Sequence, residues 1–203
     1  MTVARREAWL LATSNPGKLA EFNELLRGTE ISLRALDRNA ELPEETGLSF
    51  VENALIKARH AARVSGGPAM ADDSGLCVIA LDGAPGVRSA RYAGPGASDR
   101  DNVERLLGEL AGVAADRRQA AFHCAIVALE RPDDPAPIIA SGRWPGSIAT
   151  EPKGSNGFGY DPIFFDPVAG MTAAELSPQQ KNATSHRSRA CKELERLLGI
   201  RAR

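Results

Sequence analysis

Apolar positions along the chain follow two different periods, and the switches between them mark its elements. WLLAT (9–13) is a compact apolar run of strand length that stops at the polar SNPGK. Beyond it Leu19, Phe22, Leu25 and Leu26 recur at helical spacing. Asn15 is placed to cap this helix, Pro16 to fill its first position, and Gly28 to stop it. ISLRAL (31–36) is a second strand. Strand, helix, strand in that order predicts a crossover unit whose loop lies at the first strand's C-terminal end.

A second helix is predicted over about residues 50–64, where Ser49 and Glu52 fit a capping box and Val51, Ala54, Leu55, Ala58 and Ala62 form one stripe. PAMA (68–71) then opens a third strand. GVRSARYAG (86–94) is rich in turn residues. Residues 98–113 read as a third helix with Val103, Leu106, Leu107 and Leu110 inward. QAAFHCAIVALE (119–130) is the longest strand candidate, followed by a hairpin loop into PIIASGRW (137–144) and a separate short strand, GSI (146–148). Thr172 and Glu175 form a second capping box, and an amphipathic helix over about 187–198 carries Ala190, Leu194, Leu197 and Leu198. Helices alternate with strands early and antiparallel strands fill the middle, which predicts a mixed sheet with helices packed on it, an α/β chain.

Composition narrows the function classes. The 203 residues carry 25 basic and 26 acidic side chains, a balance that argues against a protein built to coat nucleic acid. Cys77, Cys124 and Cys191 lack metal-site spacing and fit buried free thiols in a reducing compartment. No apolar run approaches the roughly 20 residues of a membrane span, and the N-terminal run is short for a signal peptide. The expectation is a single domain over residues 1–203, cytoplasmic, with no membrane or nucleic-acid partner. His123 is expected in the core and His60 on a helix surface.

Five stretches carry candidate chemistry. ATSNPGKL (12–19) joins a strand to a helix N-terminus, whose free N–H groups and dipole favour an anion, with Lys18 adding charge. It is not a Walker loop, which would need Gly at position 12 and Ser or Thr at 19. A capped helix with a solvated lysine fits the same residues. In EETGLSFVENALIKARHAA (44–62), Asn53 and Lys57 are four apart and share one helix edge. ADDSG (71–75) sets Asp72 and Asp73 side by side inside an apolar run: either a turn interrupts the strand, or the carboxylates have partners such as lysines, backbone N–H groups or a hard cation. Glycines around Phe158 in GSNGFGYDPIFF (154–165) leave its ring open to stack on a nucleobase. Lys181, His186 and Arg187 are donors near a helix start, able to read carbonyl oxygens or phosphate.

Taken in order, TSNPGK (13–18), EETGLSFVENALIKA (44–58), ADDSGL (71–76), GAPGVRSARYAG (83–94), FHC (122–124), GFGYDPIF (157–164) and SHR (185–187) resemble the inosine triphosphate pyrophosphatase family over almost the whole chain. The resemblance implies an elongated two-lobed α/β fold, with a central mixed sheet flanked by helices and a nucleotide cleft between the lobes. It implies a homodimeric, Mg2+-dependent enzyme that hydrolyses inosine, deoxyinosine and xanthosine triphosphates to the monophosphate and pyrophosphate. Carried over by position, Thr13, Ser14, Asn15, Pro16, Gly17 and Lys18 line the triphosphate. Glu45 and Asp73 are the metal carboxylates, and Asp73 is the proton acceptor. Ser74, Phe158, Gly159, Tyr160, Asp161, Lys181, His186 and Arg187 contact the substrate. The expected catalytic group is Asp73, with Asp72, Lys18 and Lys57 in support. A nucleotide-sensing module without hydrolysis, and a phosphohydrolase for other triphosphates, are the competing readings.

Overall fold

The computed structural model of the chain describes residues 7–13, 16–27, 29, 31–36 and 42–199, apart from the side chains of Glu7 and Pro16. In chain order the elements are β1 (Glu7–Leu11), α1 (Pro16–Leu25), β2 (Ile31–Ala35), α2 (Phe50–Ser65), β3 (Ala69–Val78), α3 (Asp99–Glu109), β4 (Gln119–Leu129), β5 (Ile138–Ile148), β6 (Phe164–Asp166), β7 (Met171–Thr172), α4 (Pro178–Thr184) and α5 (His186–Leu197). Among the described residues the strands form one sheet in the order β2-β1-β3-β4-β5-β6-β7. β1 runs parallel to β2 and β3, while β6 is antiparallel to β5 and β7, so the sheet is mixed as expected. The predicted crossover β1-α1-β2 is present. The chain clusters into two compact units, one drawn from Met1–Asp73, Cys124–Gly142 and Arg187–Arg203, the other from Ser74–His123 and Arg143–His186.

In the first unit, strand alternation sorts side chains into two apolar clusters. Trp9, Leu11, Met70, Cys124 and Ile126 meet Phe22 and Leu26 beside α1 and Ala190 and Leu194 of α5. Leu10, Ala12, Ala69, Ala71 and Val127 meet Ala54, Ala58, Ala61 and Ala62 of α2. The small alanine rows let α2 lie close to the sheet. Ser49 and Glu52 make the predicted capping box, and Gly66 ends α2 in the left-handed region at φ 67°. In the second unit, Leu76 and Val78 pack with Val103, Leu106 and Leu110 of α3, and with Phe122, Trp144, Ile163 and Phe164.

Several boundaries differ from the sequence reading. Of the two alternatives open at Asp72 and Asp73, the uninterrupted strand holds: β3 continues through both aspartates to Val78. The separate strands at 137–144 and 146–148 are one strand, β5, which runs through Pro145. A Cβ on Gly146 would lie 2.4 Å from Phe165 O, so the close pairing with β6 requires the glycine. Thr172 N and Oγ1 both donate to Glu175 Oε2, but the reciprocal half of the capping box is replaced by a turn bond from Glu175 N to Thr172 O, and no helix follows; the helix starts at Pro178, capped by Ser177 with Gln180. The third helix ends at Glu109 rather than at 113. His123 is half-buried rather than a core residue, and burial, then Arg143, hold its imidazole below its ordinary pKa. The cap at Asn15 and the stop at Gly28 lie outside the described residues. Cys124 and Cys191 are buried as expected, Cys77 is only half-buried, and none of the three forms a disulfide.

Candidate active site

β3 is buried along most of its length, yet carries two adjacent carboxylates, Asp72 at 1 % and Asp73 at 7 % exposure. An ionised carboxylate in such surroundings costs several kcal/mol unless partners offset it. The backbone stays extended through both residues, so their side chains leave on opposite faces and each meets a different set of helices.

Asp73 faces α2. Lys57 Nζ lies 2.9 Å from its Oδ1, and Asn53 Nδ2 donates to its Oδ2 at 3.3 Å. Lys57 and Asn53 extend the Ala61 row of the buried helix face one and two turns towards the N-terminus, which aims both at the sheet. Lys57 also donates to Glu45 Oε1 at 2.8 Å. The loop between Glu45 and α2 is fixed by Gly47, whose N–H donates to Asn53 Oδ1 at 2.8 Å. A Cβ there would lie 2.6 Å from Glu52 Cβ, so the turn needs glycine. Burial pushes the Asp73 carboxyl above its ordinary pKa; Lys57 opposes this, Glu45 adds to it, and the net direction is up. Burial alone would lower the Lys57 ammonium, but Asp72, Asp73 and Glu45 outweigh it and hold it above its ordinary value.

Asp72 faces α1 and α5. Lys18 Nζ donates to both of its oxygens, at 2.9 and 3.2 Å. Arg187 Nε stands 3.9 Å from Asp72 Oδ2, while Arg187 Nη1 donates to Glu21 Oε2 at 3.1 Å. Thr13 is buried at the end of β1, and Gly17 is exposed in the first turn of α1.

A hard dication such as Mg2+ takes one or two protein carboxylates and completes its shell with water and phosphate oxygens. Glu45 and Asp73 suit that role, since both converge on one positive charge, the Lys57 ammonium. Among the described residues no group of three or more His, Cys, Asp or Glu could hold a metal by itself. Two carboxylates leave most of an octahedral shell to water and phosphate oxygens, which is the share Mg2+ ordinarily takes from a protein beside a triphosphate.

The second unit builds a different surface. Phe158 is 39 % exposed, and Lys181 Nζ lies 4.9 Å from its ring centroid. Lys181 is anchored by Asp161, which also accepts from Phe158 N at 2.9 Å. Gly159 N donates to Asp99 Oδ2 at 2.7 Å. The Tyr160 ring is buried and its hydroxyl donates to Ser89 O at 2.9 Å, so it ties the loop down from below. His186 is 3 % exposed and stacks on Phe122, with centroids 4.8 Å apart at 14°. Gly157 takes φ 78°, and a Cβ there would lie 2.0 Å from Asp161 Oδ2. Gly157→Ala is expected to destabilise the fold by about 2–4 kcal/mol, from overpacking plus backbone strain. A denaturation midpoint equal to that of the unaltered protein would refute this.

The structure thus gathers Lys18, Glu45, Lys57, Asp72, Asp73 and Arg187 in the first unit, and Phe158, Gly159, Tyr160, Asp161, Lys181 and His186 in the second. Ser74 is half-buried at the start of the second unit's share of β3. Ser14 and Asn15 lie outside the described residues, as does the side chain of Pro16. Sequence reasoning passed over Glu21, Asp99 and Ser89. Glu21 had a usable signal, its position three residues after Lys18 on the same helix face.

A family model for the Ham1 family matches residues 9–197. A curated relative from Yersinia pseudotuberculosis, named dITP/XTP pyrophosphatase, is 53 % identical over 184 residues, covering 90 % of this chain and 93 % of its own. The Escherichia coli K12 protein of the same name is 52 % identical over 186 residues, 91 % of this chain and 94 % of its own. A solved HAM1 protein from Coxiella burnetii superposes with a TM-score of 0.88 at 51 % identity, covering 95 % of this chain and 98 % of that one.

Proposed function

The chain belongs to the Ham1 family, and from that premise we propose that it hydrolyses noncanonical purine nucleoside triphosphates, dITP, ITP and XTP, to the monophosphate and pyrophosphate. It is a nucleoside-triphosphate pyrophosphatase, a hydrolase of nucleotide metabolism. The observation that carries the chemistry is Asp73, a buried carboxylate with a raised pKa, held by Lys57 and Asn53.

Hydrolysis between the α- and β-phosphates needs a water aligned with the leaving pyrophosphate. Asp73 takes the proton from that water, and burial, which raises its pKa above the ordinary carboxylate value, makes it a better proton acceptor than a solvated aspartate. Asn53 and Lys57 fix its two oxygens, so the accepting lone pair is oriented before substrate arrives. Lys18 and Lys57 offset phosphate charge, and the N-terminal turn of α1 adds its N–H groups. Glu45 and Asp73 would hold Mg2+, which supplies charge neutralisation of the phosphate oxygens. In the second unit Phe158 offers a stacking face, and Lys181 donates to the carbonyl at position 6 of hypoxanthine or xanthine. His186 and Ser74 support the same substrate. Residues 1–203 are proposed to act as one domain, as a homodimer in the cytoplasm, without a nucleic-acid or membrane partner. Among the described residues no helix is long and apolar enough to cross a membrane.

Incubation with dITP and Mg2+, with products separated, tests the reading. Equal amounts of dIMP and pyrophosphate are expected; orthophosphate without pyrophosphate, or no turnover, would sink it. Stripping divalent ions with a chelator is expected to abolish turnover, and adding back Mg2+ in excess to restore it. Full activity in the chelator would remove the metal from the proposal.

A further inference from the structure

We propose that Glu21 is a positioning residue, one that keeps Lys18 in place for the triphosphate by holding Arg187 away from Asp72. The inference rests on the reading of Lys18 as a phosphate-binding group. Glu21 and Arg187 are largely enclosed, with side chains 12 % and 4 % exposed. Glu21 Oε2 accepts from Arg187 Nη1 at 3.1 Å, and Glu21 Oε1 is buried without a hydrogen bond among the described residues. Asp72 is 1 % exposed and gives both oxygens to Lys18. Arg187 Nε waits 3.9 Å from Asp72 Oδ2, beyond hydrogen-bond reach.

Two cations and two carboxylates balance in this quartet, but the partners are not interchangeable. A guanidinium binds a carboxylate through a planar fork and is less strongly hydrated than an ammonium, so Arg187 is the better buried partner for Asp72. Left to itself it would close the gap and take an oxygen now held by Lys18. The Glu21 charge prevents that. A buried carboxylate with one unbonded oxygen is a poor way to gain stability, since apolar side chains of like volume usually do as well or better. Its placement makes sense as a means of assigning Asp72 to Lys18. Lys18 then stands oriented at the start of α1 instead of sampling its rotamers, and triphosphate binding avoids that ordering cost.

The test uses Glu21→Gln, which keeps the shape and removes the charge. KM for dITP is expected to rise about three- to ten-fold, the size of one ordinary net hydrogen bond, with kcat within two-fold. The inhibition constant of inorganic tripolyphosphate, a probe with no base, is expected to rise by the same factor. In an Asp72→Asn background, where Lys18 has already lost its anchor, Glu21→Gln is expected to add nothing. An unchanged KM, an effect on dITP absent from tripolyphosphate, or full additivity with Asp72→Asn would each overturn the proposal. Should Glu21→Gln fail to fold, Glu21→Asp keeps the charge at a longer reach. Its KM for dITP is then expected to rise about two- to three-fold, a fraction of one hydrogen bond, and no rise would overturn the proposal equally. Absence of dITP turnover in the unaltered protein would instead count against the pyrophosphatase reading itself.

Discussion

Asp73→Asn is expected to lower kcat for dITP by about a hundred- to ten-thousand-fold, the range for loss of a general base. The substitution is close to isosteric but turns one of the two accepting oxygens into a donor, so Lys57 gives up its bond to position 73. Lys57 keeps Glu45 at 2.8 Å, so its buried ammonium is not orphaned. The Asn53 side chain still finds an oxygen at position 73. What disappears is the charge that accepts a proton and helps to hold the metal. Nucleotide binding, followed by calorimetry or by thermal protection with a slowly hydrolysed analogue, should therefore persist. Asp72→Asn provides the contrast. Asp72 faces α1 and α5, and its partners are Lys18 and Arg187. Its loss should weaken triphosphate binding more than it slows the bound step. Equal losses of kcat in the two variants would mean that the opposite faces of β3 do not separate their roles. Near-normal turnover in Asp73→Asn would remove this residue from the base role altogether.

The adjacent aspartates also show what a sequence can and cannot reveal. Their types and positions were visible, and so was the conflict between two carboxylates and an apolar run. Whether a turn resolves that conflict was not, because Asp, Ser and Gly suit a turn as well as a buried, well-partnered strand. The deciding partners, Lys18, Lys57 and Asn53, are 54, 16 and 20 residues away along the chain. The apolar stripe of α2 was legible because it is periodic, whereas Asn53 and Lys57 on the same buried face look like helix-edge residues until the sheet is in place. Short strands β6 and β7 fell below any periodic signal, with three and two residues. The pairing of Thr172 with Glu175 looks like a helix cap in the sequence because its bonds to the Glu175 carboxylate do form, but they close a turn instead. Local hydrogen-bonding patterns of this kind are shared by caps and turns, and only the following backbone distinguishes them.

Lys181→Gln is expected to lower the preference for dITP over dATP, as the ratio of kcat/KM values, by about ten- to a hundred-fold. The argument begins with donor and acceptor inventory. A lysine ammonium only donates. Hypoxanthine presents a carbonyl at position 6 and satisfies it; adenine presents an amino group there and leaves two donors facing each other. Asp161 makes this discrimination strict, since its buried carboxylate pins Lys181 beside the Phe158 ring and keeps the ammonium from turning away. Glutamine can still donate to Asp161, yet its carbonyl can turn to accept from adenine, so the penalty against dATP falls without removal of the anchor. A third substrate separates a lost donor from a merely loosened loop. Guanine shares the carbonyl at position 6 and differs from hypoxanthine by an amino group at position 2. The preference for dITP over dGTP should then stay within about two-fold, because the carbonyl term cancels between the two bases. A loop disordered by the substitution would instead blur both ratios together. A fall in the dGTP ratio matching that in the dATP ratio would show that Lys181 shapes the pocket rather than reads the base.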